Sequence, residues 1–151
     1  MPVYLPSLGR SLNFAANACN QMCNAALADH GLTLAHWVIL SALWREDGMP
    51  VSDLARYNGT NLPAASRVVD RMVDAGLVSR RPDPSDRRSV LVYLTPKGEG
   101  LRGLAGFHDR VNAALLAGFS DTEAAQLADM LARVAQNAQN ARAARGGAEA
   151  Q

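Results

Sequence analysis

Asp83-Pro84-Ser85-Asp86-Arg87-Arg88, running straight into Ser89-Val90-Leu91-Val92-Tyr93-Leu94 and then Thr95-Pro96-Lys97-Gly98, is the stretch on which the fold turns. Ser89 to Leu94 is β-branched and aromatic and of strand length. Pro82 to Arg88 is rich in turn formers and charge. Val78 to Arg81, just upstream, is short and suits an extended segment. Two short strands around a charged loop form a β-hairpin. Thr95-Pro96 then supplies an N-cap followed by proline at the first helical position, so the chain leaves the hairpin through a helix.

Upstream, the period changes from two to 3.6. Pro63 to Ala75 places Ala65, Val68, Val69, Met72 and Val73 at helical spacing, and Gly76 suits the residue after a helix end. Before it lie the polar turn Asn58-Gly59-Thr60-Asn61 and a short helix, Asp53 to Tyr57, with Ser52 as its expected cap. A helix from Leu34 to Arg45 carries Trp37, Ile39, Leu40 and Trp44 behind Thr33 as N-cap. Leu8 to Asp29 forms a long first helix stopped by Gly31, with Leu8, Leu12, Cys19, Cys23 and Leu27 on one stripe. Downstream, the helix opened by Pro96 carries Leu101, Leu104, Phe107, Val111 and Leu115. Ser120-Asp121-Thr122-Glu123 is a capping box for a last helix with Leu127, Met130, Leu131 and Val134 on one face. The element order is α-α-α-α-β-β-α-α: mainly α with a small β-hairpin.

A short helix, a turn and a second helix form a helix-turn-helix, and a basic hairpin directly after it forms a wing. Leu62 to Ala75 has the dimensions to enter a major groove, and the hairpin then reaches the adjacent minor groove. Arg67 and Arg71 are four apart on that helix, and Arg80, Arg81, Arg87 and Arg88 lie on the wing. Six of the fifteen basic residues thus fall between positions 67 and 88. Arginine suits bidentate contact with guanine or phosphate. Asp86 is placed to hold a wing arginine extended.

The stretch from Asp83 to Gly98 resembles the wing signature of the MarR family of transcriptional regulators, D-x-x-D-R-R-x-x-x-V-x-L-T-x-x-G. Ser66-Arg67-Val68-Val69-Asp70-Arg71-Met72-Val73-Asp74-Ala75-Gly76-Leu77-Val78 is similar to that family's recognition helix and its exit. Leu32 to Leu40 resembles its second-helix opening. The resemblance implies a winged helix-turn-helix (32–95) with N- and C-terminal dimerisation helices (8–30 and 96–145). It implies a homodimer on double-stranded DNA at a pseudo-palindromic operator, usually repressing and released by a small aromatic or phenolic effector. DNA contacts would come from Asn61, Pro63, Ser66, Arg67 and Arg71 on the helix and Asp86, Arg87 and Arg88 on the wing, with Arg88 in the minor groove. Pro63-Ala64-Ala65 departs from the family, which often carries Ser or Thr there. Phe14, His36, Trp37 and Trp44 are candidates for an aromatic effector pocket, or else plain core.

Composition is compatible with this. A chain of 151 residues, 48% hydrophobic and 19% charged, can build one compact domain and is not disordered throughout; residues 146–151 are expected to be a disordered tail. A net charge of +1 excludes a uniformly basic coat but not a local basic patch. Cys19 and Cys23 form no disulfide framework; they read as buried thiols, as a redox pair, or with His30 as part of a zinc site. Met1 to Pro6 lacks the features of a signal peptide, no apolar run matches a membrane span, and a cytoplasmic setting is expected. No catalytic motif or cofactor-binding motif is present: there is no G-x-S-x-G, no glycine-rich phosphate loop, and His108 and Asp109 are merely adjacent. The rival to a DNA-binding repressor is a winged-helix adaptor for another protein.

Overall fold

The structure, a computed structural model, describes residues 7–148. It divides into two compact units, Met1–Asp109 and Arg110–Gln151. In the first, α1 (Leu8–Leu27) ends in a 3-10 turn at Ala28–His30, followed by α2 (Leu34–Arg45), β1 (Met49–Pro50), α3 (Val51–Tyr57), α4 (Leu62–Asp74), β2 (Val78–Asp83), β3 (Asp86–Leu94) and α5 (Pro96–Glu99). A 3-10 turn at Arg102–Leu104 leads to α6 (Phe107–Leu115), and α7 (Asp121–Ala148) forms most of the second unit. This is a winged helix-turn-helix fold.

The core of the first unit is the helix-turn-helix closing on the root of the wing. Leu40 and Leu43 from α2, Leu54 from α3, Val69 and Met72 from α4, Val78 from β2 and Val92 from β3 are all essentially inaccessible. Each such side chain stabilises the fold by about 1.5–3 kcal/mol relative to exposure. The expected caps form. Thr33 Oγ1 accepts from the His36 N–H, and the His36 ring nitrogen Nδ1 accepts in return from the Thr33 N–H. Ser120 and Glu123 make the same reciprocal box at the start of α7.

Several local expectations are corrected. The sheet has three strands in the order β1-β3-β2, because Met49 and Pro50 pair with Val92 and Leu91. Two residues, one of them proline, are too few to show a period. The Asp47 carboxylate fixes them in place by accepting from the N–H groups of Gly48 and Leu94. α3 begins at Val51 rather than behind Ser52, and no side chain caps it. The helix expected from Pro96 through Leu115 is broken after Glu99 and again after Leu104. Gly98, Gly100, Gly103 and Gly106 each weaken a helix by roughly 1 kcal/mol. Two tryptophans also engage carbonyls there: Trp44 Nε1 donates to Gly98 O at 3.1 Å and Trp37 Nε1 to Leu104 O at 2.8 Å. α7 continues through Ala148, so 146–148 belong to a helix rather than a tail; 149–151 lie outside the described residues. Among the described residues no single helix is long and apolar enough to cross a membrane.

Candidate nucleic-acid interface

α4 is built to stand proud of the core at its N-terminal end. Asn61 caps it, its Oδ1 accepting from the Ala64 N–H at 2.9 Å, and Pro63 occupies the first turn, where a missing N–H costs nothing. Ala65, Val69 and Met72 face inward, which leaves Pro63, Arg67, Asp70 and Arg71 exposed. The far end is closed by Gly76, whose φ of 72° is the left-handed conformation a tight reversal needs. Leu77 N–H returns to Met72 O, Thr95 Oγ1 donates to Gly76 O, and Lys97 Nζ donates to Ala75 O at 2.8 Å. A cation at the helix C-terminus also opposes the helix dipole favourably.

The wing is longer and tighter than its sequence suggests. β2 and β3 extend to Asp83 and Asp86, leaving Pro84-Ser85 as the loop. The Asp83 carboxylate accepts from both the N–H and the hydroxyl of Ser85, and these bonds hold its pKa below the ordinary carboxylate value. The register jumps beside this tip. Asp83 pairs with Asp86 but Pro82 pairs with Val90, so Arg87, Arg88 and Ser89 bulge out of β3. Proline, with no N–H to donate, suits the position opposite, and a bulge re-aims the side chains it carries.

The six arginines separate into distinct roles. Arg80 belongs to the scaffold: its Nη2 lies 2.9 Å from Asp70 Oδ1 and 3.2 Å from both O and Oγ of Ser66, tying β2 to α4. Arg81 lies over the Tyr93 ring at 4.7 Å. Arg71 stands close enough to His36 for its charge, after burial, to lower that ring's pKa. Arg67, Arg87 and Arg88 are exposed, and their guanidinium groups have no hydrogen-bond or ion-pair partner among the described residues. Asp86 does not hold an arginine side chain; it accepts from the backbone N–H of Arg88 at 2.9 Å, shaping the bulge itself. Asn61 likewise has its oxygen committed to the helix cap. Sequence reasoning missed the neutralisation of Asp70 by Arg80, since a contact between residues so far apart leaves no local pattern.

The four aromatic pocket candidates are not gathered into one cavity. Trp44 is core, 6% exposed, with its indole N–H committed to Gly98. Trp37 packs edge-on against Phe107 with ring centroids 5.5 Å apart, His36 caps α2, and Phe14 is 78% exposed on α1. A cleft of about 310 Å³ lies instead between Asn20 and Asn24 of α1, Thr33, Leu34, Ala35 and Val38 around the start of α2, and Asn58. Its trace in the sequence is Asn20 and Asn24, two of the four asparagines of α1, spaced one turn apart. Cys19 and Cys23 are free thiols with sulfurs 4.0 Å apart. Burial first, and then Cys19, push the Cys23 thiol up to about 11, the opposite of an activated redox cysteine. His30 does not join them: no group of three potential ligands forms among the described residues.

Comparison with known proteins gives the same direction. A family model described as the MarR family matches residues 32–90. The HTH-type transcriptional regulator TtmR of Methylorubrum extorquens is 33% identical over 89 residues, covering 59% of this chain and 46% of that protein. The transcriptional activatory protein BadR of Rhodopseudomonas palustris is 38% identical over 86 residues, covering 55% and 49%. The chain thus spans about half the length of the curated relatives it matches. Among solved structures, a mutant MarR from E. coli complexed with operator DNA is 26% identical with a TM-score of 0.76, covering 84% of this chain and 92% of that one. The transcriptional regulator SlyA shares the fold, with a TM-score of 0.79 at 24% identity over 89% and 96% of the two chains.

Proposed function

We propose that the chain is a member of the MarR family, whose model matches residues 32–90, and a sequence-specific DNA-binding transcriptional regulator acting as a homodimer. The observation that carries this reading is the division of labour among the arginines. Arg80 and Arg81 are committed to internal contacts, whereas Arg67 on α4 and Arg87 and Arg88 on the wing bulge are presented without partners. In a protein–protein adaptor, three unpaired arginines on one helix and its wing have no evident use. On DNA they have one: α4 enters the major groove, and the bulge brings Arg88, with Arg87 beside it, to the electronegative minor groove.

Dimerisation is supported by apolar side chains exposed in each unit. Leu8 and Phe14 are exposed on α1, and Phe119, Leu127, Met130 and Leu131 in the second unit. Burying them against a second copy gives a two-fold assembly that fits a pseudo-palindromic operator. Repression is the proposed sign of regulation, with release by a small aromatic or phenolic ligand, in the cytoplasm; the 310 Å³ cleft falls within the size range of small-molecule sites.

The test is fluorescence anisotropy with labelled DNA from the region upstream of the protein's own gene, over a salt series, for wild type and Arg88→Ala. Wild type should lose affinity steeply with salt through counterion release. Arg88→Ala should cost about 1–3 kcal/mol if Arg88 makes a specific groove contact. No binding to this or any shuffled duplex at low salt refutes the reading.

A further inference from the structure

We propose that the first turn of α4 reads its half-site chiefly through carbon, with Leu62 contacting the 5-methyl group of a thymine. The proposal rests on the DNA-binding reading above and names the base edges that reading leaves open.

Leu62, Pro63, Ser66 and Arg67 are spaced i, i+1, i+4 and i+5, so they form one strip along the first turns of α4. The strip borders the inward face of Ala65 and Val69. Leu62 is 52% exposed, Pro63 and Arg67 are exposed, and Ser66 is half-buried. The first turn, Leu62-Pro63-Ala64-Ala65, contains no side-chain donor or acceptor at all. Whatever its side chains recognise, they recognise with carbon.

Each oxygen-bearing side chain around the strip already has a partner within the protein. Asn61 Oδ1 accepts from the Ala64 N–H. Asp70 is ion-paired with Arg80, and Ser66 Oγ accepts from the same guanidinium, with its own hydrogen left to donate. Arg67 offers donors only. In the major groove the amino groups of adenine and cytosine need an acceptor, adenine otherwise offering only N7, whereas guanine offers O6 and N7, and thymine offers O4 beside a methyl group. A strip of carbon and donors therefore matches thymine and guanine edges, and Leu62 is the exposed carbon at its leading end.

The experiment begins with enrichment of duplexes bound by the wild-type protein from a random library. Affinities are then measured for one enriched duplex made with thymine and again with deoxyuracil, which deletes only the methyl groups, using wild type and Leu62→Ala. Wild type should bind the uracil duplex about fourfold more weakly for each contacted methyl, the factor for burying one methyl-sized group. Leu62→Ala should bind the two duplexes alike while keeping the wild-type salt slope. Leu62 is half-exposed, and a thermal melt matching wild type confirms that the variant folds. Equal binding of both duplexes by wild type overturns the proposal, as does an unchanged thymine preference in Leu62→Ala. Both results leave the DNA-binding reading standing. Failure to enrich any duplex overturns the two together.

Discussion

Arg80→Ala separates scaffolding from phosphate contact on this surface. The substitution removes the 2.9 Å pair with Asp70 and two 3.2 Å hydrogen bonds to Ser66. The paired side chains are 34% and 60% exposed, so solvent screening reduces their worth. Pair and hydrogen bonds together should stabilise the fold by only about 1 kcal/mol. The larger consequence is electrostatic. Without Arg80, a bare carboxylate remains on the face of α4 proposed to meet DNA. A like charge about 8 Å from a phosphate repels it by roughly 0.5 kcal/mol in water and about 2 kcal/mol at an effective dielectric of 20. Arg80→Ala should therefore weaken DNA binding by about 1 kcal/mol, close to fivefold. Asp70→Asn in the Arg80→Ala background should restore most of it, because it removes the charge Arg80 neutralises. Anisotropy titrations of the wild type, both single variants and the double variant at one salt concentration supply the cycle. If the double variant binds as weakly as Arg80→Ala, Arg80 touches phosphate itself and the scaffold role is wrong.

Three further outcomes follow from particular contacts. Gly98→Ala places a methyl against the Leu77 carbonyl oxygen, which already accepts from Thr95 N–H, and against Leu94 Cδ2; overpacking there should cost about 1–3 kcal/mol, read as a lower urea midpoint. His36 is held below its ordinary pKa by burial first and Arg71 second, so the unfolded chain takes up the proton at higher pH than the folded one. Its contribution is present above about pH 6.5 and lost as pH falls through the folded value, and the difference between urea midpoints at pH 7.5 and 5.5 should shrink in His36→Gln. Cys19 and Cys23 should resist forming an internal disulfide under mild oxidant: residues one helical turn apart have Cβ atoms about 5–6 Å apart, wider than the roughly 3.5–4.5 Å a disulfide needs. A loss of two protons in the intact mass of still-helical protein would contradict that.

What could be read along the chain was whatever local chemistry specifies. Thr33, Pro63, Thr95-Pro96 and Ser120 to Glu123 marked helix starts because capping and first-turn chemistry act within one turn, whereas the Asn61 cap showed only in the structure. Gly76 marked an end because its φ of 72° is strained for other residues. Of the five apolar positions read as the inner face of α4, Ala65, Val69 and Met72 are buried, Val68 is half-buried and Val73 is 38% exposed, so the spacing located that face but drew it too wide. The arginine-rich stretch between α4 and Gly98 marked the candidate surface. What the sequence could not assign is which arginine does what. Arg80 and Arg88 look alike in a row of letters. One is held by Asp70 and Ser66 on another element, and the other sits on a bulge created by a register jump across the hairpin. The same limit explains the broken helix after Glu99, where Trp44 and Trp37 donate to carbonyls more than fifty residues away, and the two-residue strand at Met49–Pro50, which exists only because β3 lies beside it. Capping, periodicity and turn chemistry act between near neighbours, so the sequence alone determined them. Pairing of charges, strand register and the commitment of a tryptophan depend on groups that become neighbours only in the folded chain, and these the tertiary structure decided.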